Sequence, residues 1–186
     1  YQGEWAEGQI NGKGILTQPN GDVYEGSFKD GLREGQGKLT HANGDIYFGA
    51  WVGDRRQGQG SFTTTDGFKY EGTWVAGRME GTGSILYPDG SVYIGAMKAD
   101  QPQGQGAITY PDGATYAGTW QAGLIAGQGR ATYPDGRVYE GAFVNAKPQG
   151  TGVMTYPDGY RYEGDWVNGQ REGVGAAVYP DGSLYK

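Results

Sequence analysis

A tyrosine returns every 23 residues along this chain, at Tyr1, Tyr24, Tyr47, Tyr70, Tyr93, Tyr116, Tyr139 and Tyr162, and a ninth stands at Tyr185. No insertion or deletion interrupts the series. A fixed period of this size marks a repeat array, in which each unit buries its apolar face against its neighbours. The prior of one or two ordinary globular domains for 186 residues therefore gives way.

Counting each copy from its tyrosine, the third, twelfth, fourteenth and twenty-first positions are glycine in all eight copies. Five further glycines occupy the eighth position, so nearly all of the 38 glycines have an address and the chain is not low-complexity sequence. Each copy carries two alternating runs rich in β-branched and aromatic residues, which predicts two strands and no helix. The first run spans the twenty-second to fifth positions, as in Val138 to Phe143, and the second the thirteenth to eighteenth, as in Thr151 to Tyr156. Between them lies Pro-Asp-Gly, the chemistry of a tight hairpin turn. The first three copies keep an Asx-Gly pair there, at Asn20-Gly21, Asn43-Gly44 and Asp66-Gly67, so the turn is expected in all eight. The sixth to twelfth positions read as a longer polar connection.

With three turn residues unpaired, Tyr156 faces Tyr160, Met154 faces Tyr162, Gly152 faces Gly164 and Gly150 faces Trp166, all on one face. This register predicts rings lying over bare glycine backbone, with Trp166 over Gly150. The opposite face, mostly Glu, Ser, Thr, Gln and Ala, reads as wet. The fold class is all-β: an elongated, single-layer, twisted antiparallel sheet of about sixteen strands from eight hairpins, with a groove.

The run YEGDWVNGQREGVG, Tyr162 to Gly175, resembles the membrane occupation and recognition nexus (MORN) repeat, and the match extends over the whole chain. The resemblance implies a non-catalytic sheet used for protein interaction, oligomerisation or contact with phosphoinositide membranes. One pattern lies over the 23-residue period. The third, fifth and seventh copies carry Ala50, Ala96 and Ala142 at the fourth position and replace the eighth-position glycine with Asp54, Asp100 and Ala146.

Catalytic chemistry finds no support. His41 is the only histidine, there is no cysteine, and no serine pairs with His41 to suggest a triad. Turn aspartates such as Asp112 recur once per copy, which turn formation explains, and one ligand per loop cannot build a calcium site. No cofactor or metal is expected. A net charge of −6 without clustered cations excludes nucleic acid as a partner, and no apolar run reaches bilayer length. A soluble chain is expected, cytoplasmic or membrane-associated from within.

The aromatic face is the one constellation with binding chemistry. Tyr47, Trp51, Tyr70, Trp74, Ile85, Tyr93, Ile108, Tyr116, Trp120 and Tyr139 are expected to line a groove for a peptide or helix of another protein. Pairing through the array ends would give a homodimer. A second reading is a phospholipid surface contacted by Arg33, Arg55, Arg56, Arg78 and Arg171, and a third is a glycan- or choline-binding array.

Overall fold

The structure, a computed structural model, describes all 186 residues and contains seventeen antiparallel strands and no helix. The chain divides into two compact units, Tyr1–Pro88 with Met97–Asp100, and Asp89–Ala96 with Gln101–Lys186. The first holds β1 (Gln2–Ala6), β2 (Gln9–Thr17), β3 (Val23–Lys29), β4 (Leu32–Thr40), β5 (Ile46–Val52), β6 (Arg55–Thr63), β7 (Lys69–Val75) and β8 (Arg78–Leu86). Then follow β9 (Val92–Lys98), β10 (Gln101–Thr109), β11 (Thr115–Gln121), β12 (Leu124–Thr132), β13 (Val138–Val144), β14 (Lys147–Thr155), β15 (Arg161–Val167), β16 (Gln170–Val178) and the two-residue β17 (Leu184–Tyr185). β1 to β8 pair in sequence, and so do β10 to β17.

The expected register is observed: between β14 and β15, Met154 faces Tyr162, Gly152 faces Gly164 and Gly150 faces Trp166. It is set by the Pro-Asp-Gly hairpins. In all eight copies the turn Asp or Asn accepts a hydrogen bond from the backbone N–H two residues on, as Asp158 does from Tyr160 at 2.9 Å and Asn43 from Asp45 at 3.0 Å. The glycine that follows is left-handed, with φ between +83° and +97° in the eight copies. Loss of proline in the second and third copies therefore costs the turn nothing visible.

The longer connection departs from expectation. Only the seventh and eighth positions form a turn, and the second strand begins at the ninth position, not the thirteenth. Both turn residues have positive φ, as in Ala76 (50°) and Gly77 (89°), a pairing whose twist matches that of the flanking strands. The signal was present in Asp30-Gly31 and Asn168-Gly169, but Glu7, Ala76 and Ala122 occupy the same left-handed position and obscure it. The polar residues beyond the turn belong to strands. Glu34, Gln57, Glu80, Gln103 and Gln149 each accept a hydrogen bond from the next copy's turn N–H at 2.9–3.0 Å, so this edge couples successive copies.

At Ala146 (φ 62°) an alanine holds a conformation that costs an L-residue about 1–2 kcal/mol. Ala146→Gly is expected to stabilise the second unit by about 1 kcal/mol. A urea midpoint that falls would show that the methyl makes a contact outweighing the strain.

The twelfth-position glycine is a bulge, not a seat for a ring. Between β11 and β12 the pairing passes from Gly118–Gly129 to Trp120–Ile125, so three residues of one strand, Ala126 to Gln128, oppose the single Thr119 of the other. Gly127, within the bulge, is left-handed at φ 72°. Gly150 is likewise left-handed at φ 69°, and a Cβ built on it would meet only the Ala142 Cβ, at 4.0 Å. The expectation that Trp166 covers Gly150 is thus corrected: the two are paired across the sheet, and the glycine serves the backbone.

The ring over glycine is the tyrosine. In the first seven copies its hydroxyl donates to the carbonyl three residues on, from Tyr93 to Ala96 at 2.7 Å through Tyr139 to Ala142 at 3.1 Å. That bond draws the ring across the third-position glycine and its partner at the fourteenth. A Cβ at Gly129 would lie 2.4 Å from both Cε2 and the hydroxyl of Tyr116. Side chains are therefore excluded at both positions.

Tryptophan and phenylalanine of the fifth position fill the spaces between these tyrosines edge to face. Centroids run Tyr24–Trp51 5.3 Å, Trp51–Tyr47 5.1 Å and Tyr47–Trp74 5.1 Å in the first unit, and Tyr93–Trp120 5.0 Å, Trp120–Tyr116 5.8 Å and Tyr116–Phe143 5.1 Å in the second. Four of the five indoles also have a backbone acceptor: Trp51, Trp74, Trp120 and Trp166 donate Nε1–H to the fourteenth-position carbonyl of the preceding copy at 3.1–3.2 Å. The core of each unit is this ladder.

Burial of the ladder pushes the phenols of Tyr24, Tyr47, Tyr70 and Tyr139 up to about 12, above their ordinary value of 10.0. A group whose folded value is raised gives stability that is complete below the unfolded value and lost as pH rises through the folded one. Alkaline unfolding is expected between about pH 10 and 12, with tyrosinate absorbance and loss of β-sheet dichroism rising together. All fifteen tyrosines ionising near pH 10 while the sheet signal holds would contradict the buried ladder.

Candidate groove on the aromatic face

All ten residues expected to line a groove are buried, from Tyr47, Tyr70, Tyr93 and Tyr139 at 0% exposure to Ile108 at 6%. Their rings and side chains are spent on the ladder, so what a partner could reach on this face is set by residues at its rims. The tenth position decides the shape of one rim. It holds Ile10, Arg33, Arg56, Met79, Pro102, Ile125, Pro148 and Arg171 in successive copies.

The arginines at this position stand on the aromatic face. Arg33 lies over the Trp51 ring at 4.3 Å and is paired with Asp54 at 2.9 Å. The Arg56 guanidinium sits among the Tyr47, Phe62 and Trp74 rings at 4.8–5.2 Å, and burial pulls its pKa below the ordinary value. It donates to His41 Nε2 at 3.0 Å, which leaves the imidazole proton on Nδ1, facing Asp22 at 3.2 Å. His41 is thus held between a carboxylate and a guanidinium. That arrangement has no nucleophile and reads as structure. Arg171 donates to the Tyr156 hydroxyl at 2.6 Å and the Tyr160 hydroxyl at 2.8 Å. Arg55 and Arg78, at the ninth position, are exposed. The five arginines therefore form no common basic surface.

Two of these arginines act as crossbars between copies: Arg56 joins its own copy to His41, and Arg171 joins its own to Tyr156, each an eighteenth-position residue of the preceding copy. Where the tenth position is Pro148 no head group is available to reach Tyr133. A hollow of about 620 Å³ opens there. Met154, Trp166 and Pro148 belong to its lining as buried apolar groups, while Tyr133, Tyr156, Arg137 and Arg171 bring polar groups to it. Burial pushes the Tyr133 phenol up, so it stays a neutral hydroxyl. Of these residues only Arg171 was expected at a binding site from the sequence, which placed Met154, Tyr156 and Trp166 on the aromatic face without a contact role; the variable tenth position was the available signal.

The opposite face has hollows of its own, about 720 Å³ in the first unit along Gly14, Gly26 and Gly37, and about 520 Å³ in the second along Gly129, Gly141 and Gly152. This face is less uniformly wet than expected, since Phe48 and Ile94 are largely exposed on it. Its hollows follow glycine backbone already paired in the sheet ladder and are edged by charged side chains such as Lys13, Glu25 and Lys38 in the first unit and Arg130, Glu140 and Glu163 in the second, with no buried apolar side chain to seat a ligand. The groove between Tyr133 and Arg171 combines an apolar lining with convergent donors, and it is the better candidate.

Among solved structures, the chain is similar to the TCP domain of SAS-4 (dCPAP) of Drosophila melanogaster, determined in complex with a proline-rich motif of Ana2 (dSTIL). Identity is 14%, the match covers 93% of this chain and 87% of that one, and the TM-score is 0.52, which places the two in a common fold. The TCP10 domain of Danio rerio CPAP in complex with a STIL peptide matches at 19% identity over 94% of this chain and 87% of that chain, with a TM-score of 0.30. A search of curated proteins found no match. The family model for the MORN repeat matches eight times, at residues 1–23, 24–46, 47–68, 70–92, 93–115, 116–136, 139–159 and 162–184. With its tyrosines, glycines and hairpins accounted for copy by copy, the chain belongs to the MORN repeat family.

Proposed function

We propose that this chain is a non-enzymatic interaction array whose second unit holds an extended segment of another protein in the groove between Tyr133 and Arg171. The observation that carries the reading is the opening at Pro148, where the crossbar made by Arg56 and Arg171 in other copies is missing and buried apolar groups line the hollow. Peptide grooves with aromatic walls favour proline-bearing segments, whose extended conformation is already formed and costs little entropy to hold. The Drosophila domain of similar fold, whose ligand is a proline-rich motif, supports this class of partner. The ten ladder residues contribute by shaping the face and not by direct contact. A phospholipid surface is less well supported, since membrane-binding basic clusters hold about four to eight cations and, of the five arginines expected to make that contact, only Arg55 and Arg78 are exposed without a ring or ion-pair partner.

A panel of proline-bearing peptides of about twelve residues tests the reading. Binders should have affinities on the order of micromolar and should cross-link to benzoylphenylalanine placed at Tyr133. Pro148→Arg, which installs a residue that other copies carry at this position, should close the groove and weaken binding at least about tenfold with the fold intact. Peptides that cross-link instead from Glu140 or Glu163, on the opposite face, would overturn the assignment.

A further inference from the structure

The charge state of the groove identifies a chemical requirement on its occupant. Five arginines and lysines of the chain sit in ion pairs with aspartate or glutamate: Arg33, Lys69, Arg130, Arg137 and Arg161. Arg171 has no such partner, and its hydrogen bonds go to two neutral phenols, Tyr156 and Tyr160. The rings of Tyr156, Tyr160 and Tyr162 surround its guanidinium at 4.9–5.6 Å, which orients the charge without neutralising it. In the free protein water solvates this group. A segment laid in the groove removes that water, and a cation desolvated without a counter-charge is costly.

Resting on the reading that the groove holds an extended segment, we propose that the occupant carries an aspartate or glutamate whose carboxylate pairs with Arg171. The guanidinium presents five donors in a planar fork, of which two are spent on Tyr156 and Tyr160, so a carboxylate can be received while the tyrosine cage stays in place. Arg137 stands at the same hollow, but Asp135 at 2.7 Å already satisfies it, so the discriminating contact belongs to Arg171. The partner segment is thus acidic and apolar together, in keeping with proline or another apolar residue against Pro148 and Met154.

Matched peptide pairs that differ only by Glu against Gln, drawn from the panel above, read this contact directly. Wild-type protein should prefer the Glu member by about tenfold, and the preference should weaken as salt rises. Arg171→Gln should bind both members equally, and Arg171→Glu should prefer a Lys member in place of Glu. Peptides that cross-link at Tyr133 yet show no preference for Glu, or a preference that survives Arg171→Gln, overturn this inference and leave the groove reading standing. If no peptide cross-links at Tyr133, both fail.

Discussion

Gly129→Ala is expected to destabilise the second unit by about 4 kcal/mol, the cost of emptying a buried aromatic site. The added methyl would lie 2.4 Å from Cε2 and the hydroxyl of Tyr116, a ring at 2% exposure that rests between Trp120 and Phe143. It cannot slide away, because its hydroxyl is held by the Thr119 carbonyl at 3.0 Å and both neighbouring rings meet it edge to face. The Tyr116 ring must leave, and the ladder opens. Gly113→Ala provides the comparison. Nothing lies within 4 Å of its Cβ, so only the left-handed φ of 87° is penalised, at about 1–2 kcal/mol. Urea unfolding should separate the two by about a factor of two or more. Equal shifts would mean that the fourteenth-position glycines serve backbone conformation and not the ring.

Trp120→Ala is the second large effect, at about 3–5 kcal/mol. The indole bridges Tyr93 and Tyr116 and donates Nε1–H to the Gly106 carbonyl at 3.1 Å, so its removal breaks two ring contacts and leaves a carbonyl without its donor. Trp120→Phe should cost only about 1 kcal/mol, mainly the lost hydrogen bond. The chain itself supplies the precedent, since Phe28 and Phe143 occupy this position and keep the edge-to-face contacts. Because repeat arrays lose structure locally, hydrogen exchange should show the Trp120→Ala defect concentrated in β10 to β13. A uniform loss of protection over the second unit would indicate that its copies unfold as one.

Much of the fold could be read from the residues, and the reason is the hairpin. Pro157-Asp158-Gly159 is long enough to fix a register and short enough to allow only one, so the pairing of Met154 with Tyr162 followed from counting. The second turn was harder. Ala76 and Glu7 adopt left-handed φ without the composition that announces it, because the coupling hydrogen bonds from the neighbouring copy hold the turn in place. The role of tyrosine was also hidden. Facing glycines at the third and fourteenth positions showed that a ring must cover them, but the tyrosine two residues before the first glycine reaches them only because its hydroxyl bonds forward along its own strand.

The candidate site was legible in a different sense. Aromatic residues that look like a binding surface by composition are the core, as Tyr139 at 0% exposure illustrates. An array made of one layer of strands must use its rings for cohesion, and what distinguishes one copy from another is left to variable positions. Pro148 and Arg171 occupy the same position two strands apart in sequence, and one opens a space that the other bounds.

That separation of cohesion from recognition is tested most directly by measuring stability and peptide affinity on the same two variants. Tyr139→Phe removes only the 3.1 Å bond to Ala142 and should lower the urea midpoint while leaving the affinity for a Glu-bearing peptide unchanged. Arg171→Gln gives up two exposed hydrogen bonds to phenols, each worth about 0.5–1.5 kcal/mol, and should in addition lose about tenfold in affinity. Affinity that falls with Tyr139→Phe and holds with Arg171→Gln would contradict the account, because the ladder would then be the surface that the partner reads.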